Sequence, residues 1–448
     1  MQRKGFSSGF RSLVVGVNTK VPLENGKHVT AINFDNAATT PPFVSVMREI
    51  NKFAPWYSSI HRGTGYKSQL SSDIYEDSRK EVLDFVKADA DYYTVIYVKN
   101  TTEAINKLSY RLYHNLKKGV ILSTQMEHHS NDLPWRDKYC VRYLHTDRLG
   151  RISLKDLERK LRKYRGRVKL VALTGVSNVT GYINPIYQAA ALAHKYKARI
   201  LVDGAQLVPH CPVEMKQVGS PENIDFLVFS AHKMYAPFGV GVIIGPKKYF
   251  KKGGPEYMGG GTVKLVTLNK VIWDDAPHKE EAGTVNLMGV VALLAAMRTI
   301  KNIGIDQINR FERSLTDYAL EKMRRIPDLK IYGDAENTGD KVGIIPFNIK
   351  GIPHQVVAQV LSQEGGIAVR NGCFCAQPYI QKLLCLSRND IKRYIKDTQM
   401  LRPGMVRISF GLYNHFSEID TLENMLRYIV ENKEELIQKY QSMQAEST

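Results

Sequence analysis

The chain has 448 residues, 43% hydrophobic and 24% charged, and its 63 lysines and arginines against 44 acids give a net charge of +19. That length exceeds one ordinary core, so two lobes sharing a site are expected, and the apolar share excludes a disordered chain. No apolar run reaches the ~18 residues of a membrane span, and five cysteines, an odd number, exclude a complete disulfide framework.

The opening "MQRKGFSSGFRSLVVG" has neither the compact apolar core nor the cleavage site of a secretory signal. A soluble chain in the reducing cytoplasm is therefore expected, although the same basic, acid-free opening also fits an organelle transit peptide. Apolar, β-branched runs then recur: "TVIYV" (94–98), "GVILST" (119–124), "VKLVALT" (168–174), "ARILVD" (198–203) and "IDFLVFS" (224–230). "IYQAAALAHKYK", an amphipathic helix, lies between the third and fourth, which makes the unit βαβ. The fold class is thus α/β, a mostly parallel sheet covered by helices, with ligands expected at the carboxyl ends of its strands.

"ERKLRKYRGRVK" (158–169) reads as an exposed helix face and the turn after it, without the aromatic interleaving of a nucleic-acid surface. No direct nucleic-acid or membrane partner is expected; the basic surplus suits an acidic protein or anionic substrates. After about residue 285 the pattern changes to a long helix, "MGVVALLAAMRTIKNIG", shorter strands "GIIPFNI" (343–349) and "MVRISF" (405–410), and a closing helix. This predicts a large domain over 20–285 and a smaller α+β domain over 286–448 joined by residues 1–19.

Polar residues cluster at the predicted strand ends. In "VKNTTEAINKLSYRL", Asn100 and Glu103 make a capping signature, and the free amides of that first turn with the hydroxyls of Thr101 and Thr102 suit a phosphate as well as plain capping. In "MEHHSNDLPW", His128 is placed to stack on an aromatic ring, while His128 and His129, being adjacent, diverge and make poor metal ligands. Asp203 of "LVDGAQLVPH" either caps the next helix or holds a pyridinium nitrogen protonated, with Gln206 three residues on. Lys233 of "FSAHKMYAPFG" is hemmed in by apolar residues; burial lowers an amine's pKa, which makes it a Schiff-base candidate, and a structural ion pair is the alternative. In "VRNGCFCAQP", Cys373 and Cys375 are open to four readings: clamp, bridge, core or nucleophile. A zinc site lacks a fourth ligand beside Cys373, Cys375 and Cys385, so no metal is expected, and a disulfide between residues two apart would be strained.

In their order, "NFDNAATT", "HRGTG", "NTTEAIN", "MEHHSN", "GVSNVTG", "VDGAQ", "FSAHKMY", "EAGTVN", "RNGCFC" and "VRISFGLYN" resemble the motifs of the class V aminotransferase superfamily, and most closely those of the cysteine desulfurases, over about residues 30–430. The resemblance implies the PLP-dependent transferase fold type I, pyridoxal 5'-phosphate as cofactor, a homodimer, and conversion of L-cysteine to L-alanine. It gives Lys233 the Schiff base, Asp203 the pyridine nitrogen, Gln206 the phenolic oxygen and His128 the ring face. Thr101, Thr102, Ser230 and His232 would hold the phosphate, joined by Thr284 from the partner subunit. Asn178 and Arg407 would hold the substrate carboxylate, with Arg370 near it, and His61 would line the pocket. Catalysis would rest on Lys233, His128 and Cys375, with Cys375 attacking the substrate sulfur as a thiolate and Cys373 as the alternative nucleophile or relay.

Other reactions on the same scaffold, a selenocysteine lyase, an epimerase or an aminotransferase, remain alternatives in which Cys375 is incidental; a binding protein on a dead scaffold is undercut by Lys233, Asp203 and Gln206 occurring together. The basic stretch "SRNDIKRYIKDTQMLRPG" between Cys375 and Arg407 is longer than in compact bacterial desulfurases. It is expected to be helical and to shape a docking surface for a sulfur-acceptor protein or to restrict entry to the site.

Overall fold

Seven apolar strands build the central sheet of the computed structural model, which describes residues 7–116, 119–397 and 400–446. Residues 1–6 of the basic opening, 398 and 399 of the basic stretch and the last two of the second lobe lie outside the described residues. The strands lie in the order Tyr93–Val98, Gly241–Pro246, Phe226–Ser230, Arg199–Asp203, Val168–Thr174, Val120–Thr124, Cys140–Leu144. Gly241–Pro246 runs antiparallel to both neighbours, and the other neighbouring pairs are parallel. Helices cover both faces, so the inner strands are buried nearly throughout, and only the edge strand Cys140–Leu144 is half exposed. Burial on both faces is why these strands read as unbroken apolar runs rather than as alternating patterns.

A second, antiparallel sheet is ordered Leu329–Ile331, Ile344–Ile349, Met405–Ser409, Arg370–Gly372. Helix His354–Gln363 packs on its strands. The N-terminal segment belongs to this side of the molecule too: Ile32–Asn33 pairs in parallel with Ile367–Ala368, and Asp35 bridges to Ser409. That pairing delivers Asp35, Ala37 and Ala38 to the seam between the two sheets.

Helix Leu287–Ile303 is apolar almost all round and buried against Val44–Phe53 and Tyr66–Phe85. Each large apolar side chain buried in this way contributes about 1.5–3 kcal/mol. Its start is capped by the Asn286 side chain, which accepts the Gly289 N–H at 2.9 Å. Among the described residues no single helix is long and apolar enough to cross a membrane. The basic stretch forms the expected helix, Arg388–Lys396, with a reciprocal capping box between Ser387 and Asp390.

Candidate active site

Five strands of the central sheet end at one cavity of about 270 Å³. Past Val98 stands the first turn of helix Thr101–Leu116. The Thr101 N–H donates to Ser230 Oγ at 2.8 Å, the Thr101 and Ser230 hydroxyls lie 2.6 Å apart, and Thr102 pairs likewise with Ser130 at 2.6 Å. Asn100 accepts the Glu103 N–H at 3.0 Å, whereas the Glu103 carboxylate reaches back to the N–H of Lys99 rather than to the cap residue. A helix N-terminus with clustered hydroxyls is suited to an anion, with the Thr101 and Glu103 amides held at present by Ser230 and Asn100. The approach needs Gly241: a Cβ there would stand 2.5 Å from the carbonyl carbon of Asn100.

From the next strands come His128, Asn178, Asp203 and Gln206, and after Phe226–Ser230 come His232 and Lys233. Burial, with the charge of Lys233 beside them, lowers His128 to about 3 and His232 to about 4, so both rings are neutral at physiological pH. His128 Nδ1 accepts the Ser130 N–H at 3.1 Å, which fixes the ring at the cavity wall. Burial likewise brings the Lys233 amine down to about 8, opposed by the charge of Asp203 and reinforced by that of Arg407. Asp203 is itself pushed up by burial and accepts the Ala205 N–H at 3.0 Å. Gln206 donates to the Ala37 carbonyl at 2.6 Å, and its buried amide oxygen has no partner among the described residues.

The opposite wall comes from the second sheet. Arg370 and Arg407 are cross-strand partners, like charges face to face. Asp35 separates them, 3.0 Å from Arg407 and 3.7 Å from Arg370. Arg407 is buried; it donates to the Asn178 carbonyl at 2.8 Å and lies over the Phe374 ring at 4.9 Å. Arg370 stays exposed, so the pair keeps one positive charge more than Asp35 neutralises.

The loop carrying the cysteines turns through three positive φ values, Gly372 at 106°, Phe374 at 49° and Cys375 at 54°. Two consecutive non-glycine residues in the left-handed region cost of order 1–2 kcal/mol each, and hydrogen bonds hold them there. Asn178 donates to the Phe374 carbonyl at 2.7 Å, the His129 N–H to the Cys375 carbonyl at 2.6 Å, and the Ala376 N–H to the Cys373 carbonyl at 2.9 Å. Cys375 is exposed into the cavity, while Cys373 packs partly buried against an apolar cluster that includes Met126 and Val179.

The cavity thus gathers every predicted site residue except His61 and Thr284. Thr284 is exposed on the loop after Glu281, and His61 hydrogen-bonds Glu76 at 2.8 Å, apart from the cavity. Sequence reasoning missed Asp35, Ser130, Phe374 and the buried Glu127. Asp35 and Ser130 lay inside the motifs "NFDNAATT" and "MEHHSN", which was the available signal. Glu127 accepts from Thr124 Oγ1 at 2.6 Å, from the Thr174 N–H at 3.1 Å and from Asn131 at 2.6 Å.

A half-buried lysine, a buried carboxylate and a helix N-terminus converging at the carboxyl ends of a mostly parallel sheet define an α/β enzyme of fold type I. The chain belongs to the class V aminotransferase family, which it matches over residues 32–422. It is 34% identical over 399 residues to a probable cysteine desulfurase of Halalkalibacterium halodurans, covering 87% of this chain and 91% of that one. Among solved structures it is similar to an apo cysteine desulfurase of Thermococcus onnurineus, with a TM-score of 0.79 and 31% identity over 90% of this chain and 95% of the other. The cysteine desulfurase CsdA of Escherichia coli gives a TM-score of 0.77 at 28% identity, over 94% and 98% of the two chains. The family implies pyridoxal phosphate, and the cavity fits it: an anion-ready helix start stands at one side, a buried carboxylate at another, and the orphaned Gln206 amide oxygen awaits a partner.

Proposed function

We propose that the chain is a cysteine desulfurase, taking sulfur from L-cysteine, releasing L-alanine and carrying the sulfur as a persulfide on Cys375. The observation that carries this reading is Cys375 itself, held on a strained loop in the same cavity as Lys233, Asp203, Arg370 and Arg407. The relatives named cysteine desulfurase support it.

Thr101, Thr102, Ser230 and His232 would hold the phosphate of pyridoxal 5'-phosphate, Asp203 its ring nitrogen, Gln206 its phenolic oxygen, His128 its ring face and Lys233 its aldehyde carbon. When bound, the cofactor supplies a ring that withdraws negative charge from the substrate's α carbon. Arg407 and Arg370, with Asn178, bind the substrate carboxylate by charge and bidentate geometry. The neutral amine of Lys233 moves the proton at the α carbon. The Cys375 thiolate then attacks the substrate sulfur: an S–S bond forms, the C–S bond breaks, and the carbon left behind takes up a proton to become the methyl group of alanine.

The same reading includes a homodimer in which Thr284 serves the partner's site, a cytoplasmic location, and a sulfur-acceptor protein reaching Cys375 beside the basic helix Arg388–Lys396. Incubation with L-cysteine followed by intact-mass and peptide analysis tests it. Alanine release with one added sulfur on Cys375 is expected. Alanine without sulfur on Cys375 or Cys373 would transfer the reading to another class V reaction, and no alanine from cofactor-loaded enzyme would refute the desulfurase.

A further inference from the structure

Three side chains unused by the cavity converge elsewhere. His61 lies in the segment before helix Tyr66–Phe85, Glu76 on that helix, and His278 at the start of the turn His278–Glu280. Nε2 of His61 stands 2.8 Å and Nε2 of His278 3.3 Å from the same Glu76 oxygen, and the three ligand atoms all lie within 4.8 Å of one another. Residues this far apart in sequence give no spacing signal, which is why sequence reading found no metal ligands among them.

We propose that His61, Glu76 and His278 form a binding site for a divalent transition cation of borderline softness, with zinc its expected occupant. Two imidazoles and one carboxylate are a complete protein ligand set for an open tetrahedral zinc site. Ligand atoms ~2.1 Å from a tetrahedral ion stand ~3.4 Å apart, and the observed 2.8 and 3.3 Å lie near that edge. The rings meet edge to face at 5.1 Å, so small rotations bring both nitrogens to a shared centre.

Charge favours the ion as well. Arg79 lies beside Glu76 and donates to both of its oxygens, at 3.2 and 3.4 Å, while making two shorter bonds of 2.8 and 2.9 Å to Glu281. Two carboxylates, Glu76 and Glu281, thus share one guanidinium, and the Arg79 bonds orient Glu76 as outer-shell partners of metal ligands do. The three side chains keep 33–38% of their surface exposed, leaving an open side for water to complete the coordination. An ion there ties the 58–65 segment, the helix and the 278–284 loop together.

The test uses the full-length holoenzyme with its thiols first blocked by iodoacetamide, so that cysteines cannot bind metal. Titration with Co²⁺ is expected to give visible d–d absorption at one ion per chain, displaced by Zn²⁺. His61→Gln and His278→Gln should each weaken binding by at least about ten-fold. Both histidines are half exposed, so the variants are expected to fold, and thermal melts without metal check this. Absence of a stoichiometric Co²⁺ site overturns the proposal, and so does wild-type affinity in either variant. The readout does not depend on desulfurase activity, so its failure and the failure of that reading are distinguishable.

Discussion

The backbone N–H of His129 donates to the carbonyl of Cys375 at 2.6 Å, and the His129 ring accepts the Gln377 N–H through Nε2 at 3.1 Å. One residue thus clasps the cysteine loop on both sides of Ala376. Its neighbour His128 stands in the cavity, so the segment that would meet the cofactor ring in the proposed function and the segment that presents the thiol share one support. Burial lowers the His129 pKa, opposed by Asp132, and the neutral ring has the lone pair the Gln377 bond needs.

His129→Ala keeps the backbone bond and removes the ring acceptor, at a cost of about 1 kcal/mol in stability. The left-handed turn at Phe374 and Cys375 then loses part of its restraint. Persulfide formation should fall about ten-fold, as misplacement of a reacting atom does, with unchanged cofactor absorbance and an altered alkylation rate at Cys375. An unchanged persulfide rate alongside a lowered melting temperature would reduce His129 to a structural residue.

Asp35→Asn removes the carboxylate between Arg407 and Arg370, which oppose each other across adjacent strands. Two like charges then face each other with no countercharge, and one of them is buried. Stability should fall by about 2 kcal/mol, less than for a fully buried pair because Arg370 is exposed to solvent. Urea melts at low and high salt check it: the loss should shrink as salt screens the repulsion. A loss that does not change with salt would point instead to the hydrogen bond alone.

The central strands were legible because burial on both faces leaves a continuous β-branched run, and "VKLVALT" and "IDFLVFS" become strands within two residues of their expected bounds. The direction of Gly241–Pro246 was not legible: apolar content does not encode whether a strand runs with or against its neighbours. The convergence of Lys233, Asp203, His128 and Cys375 could be foreseen from motifs at strand ends. Asp35 could not be given its role, because it depends on the parallel pairing of Ile32 with Ile367, residues more than 300 apart in the chain. Glu127 lay inside the quoted motif "MEHHSN", with partners Thr124 and Asn131 three and four residues away, but its burial depends on the neighbouring strand that brings the Thr174 N–H, 47 residues on.

The amine of Lys233 offers a direct test of the cavity's electrostatics. Its pKa, brought to about 8 from 10.5, lies below that of the unfolded chain, so folding releases a proton between these values. Stability therefore rises with pH across that window and is complete above it. In cofactor-free protein, acetylation of Lys233 followed by peptide mass spectrometry should show a midpoint near pH 8. Asp203→Asn should lower that midpoint further, since Asp203 stabilises the charged amine. A midpoint near that of exposed lysines would contradict the burial argument.

Glu127 carries the opposite sign. Burial first, and then the charge of Asp203, raise its carboxyl to about 8, against hydrogen bonds from Thr124, Thr174 and Asn131. A carboxyl raised above its unfolded value holds a proton that the unfolded chain has already lost, so its contribution to stability falls as pH rises from 4.5 toward 8. Glu127→Gln keeps one carbonyl oxygen for Thr124 and Thr174 but turns an amide toward Asn131, leaving a buried donor unmatched at about 1–3 kcal/mol. The variant should therefore be less stable than the parent at pH 5, and the gap should narrow by pH 8 as the parent loses its titrating advantage. Thermal melts at three pH values across that interval decide it, and parallel curves would show that Glu127 does not titrate in the folded protein over this range.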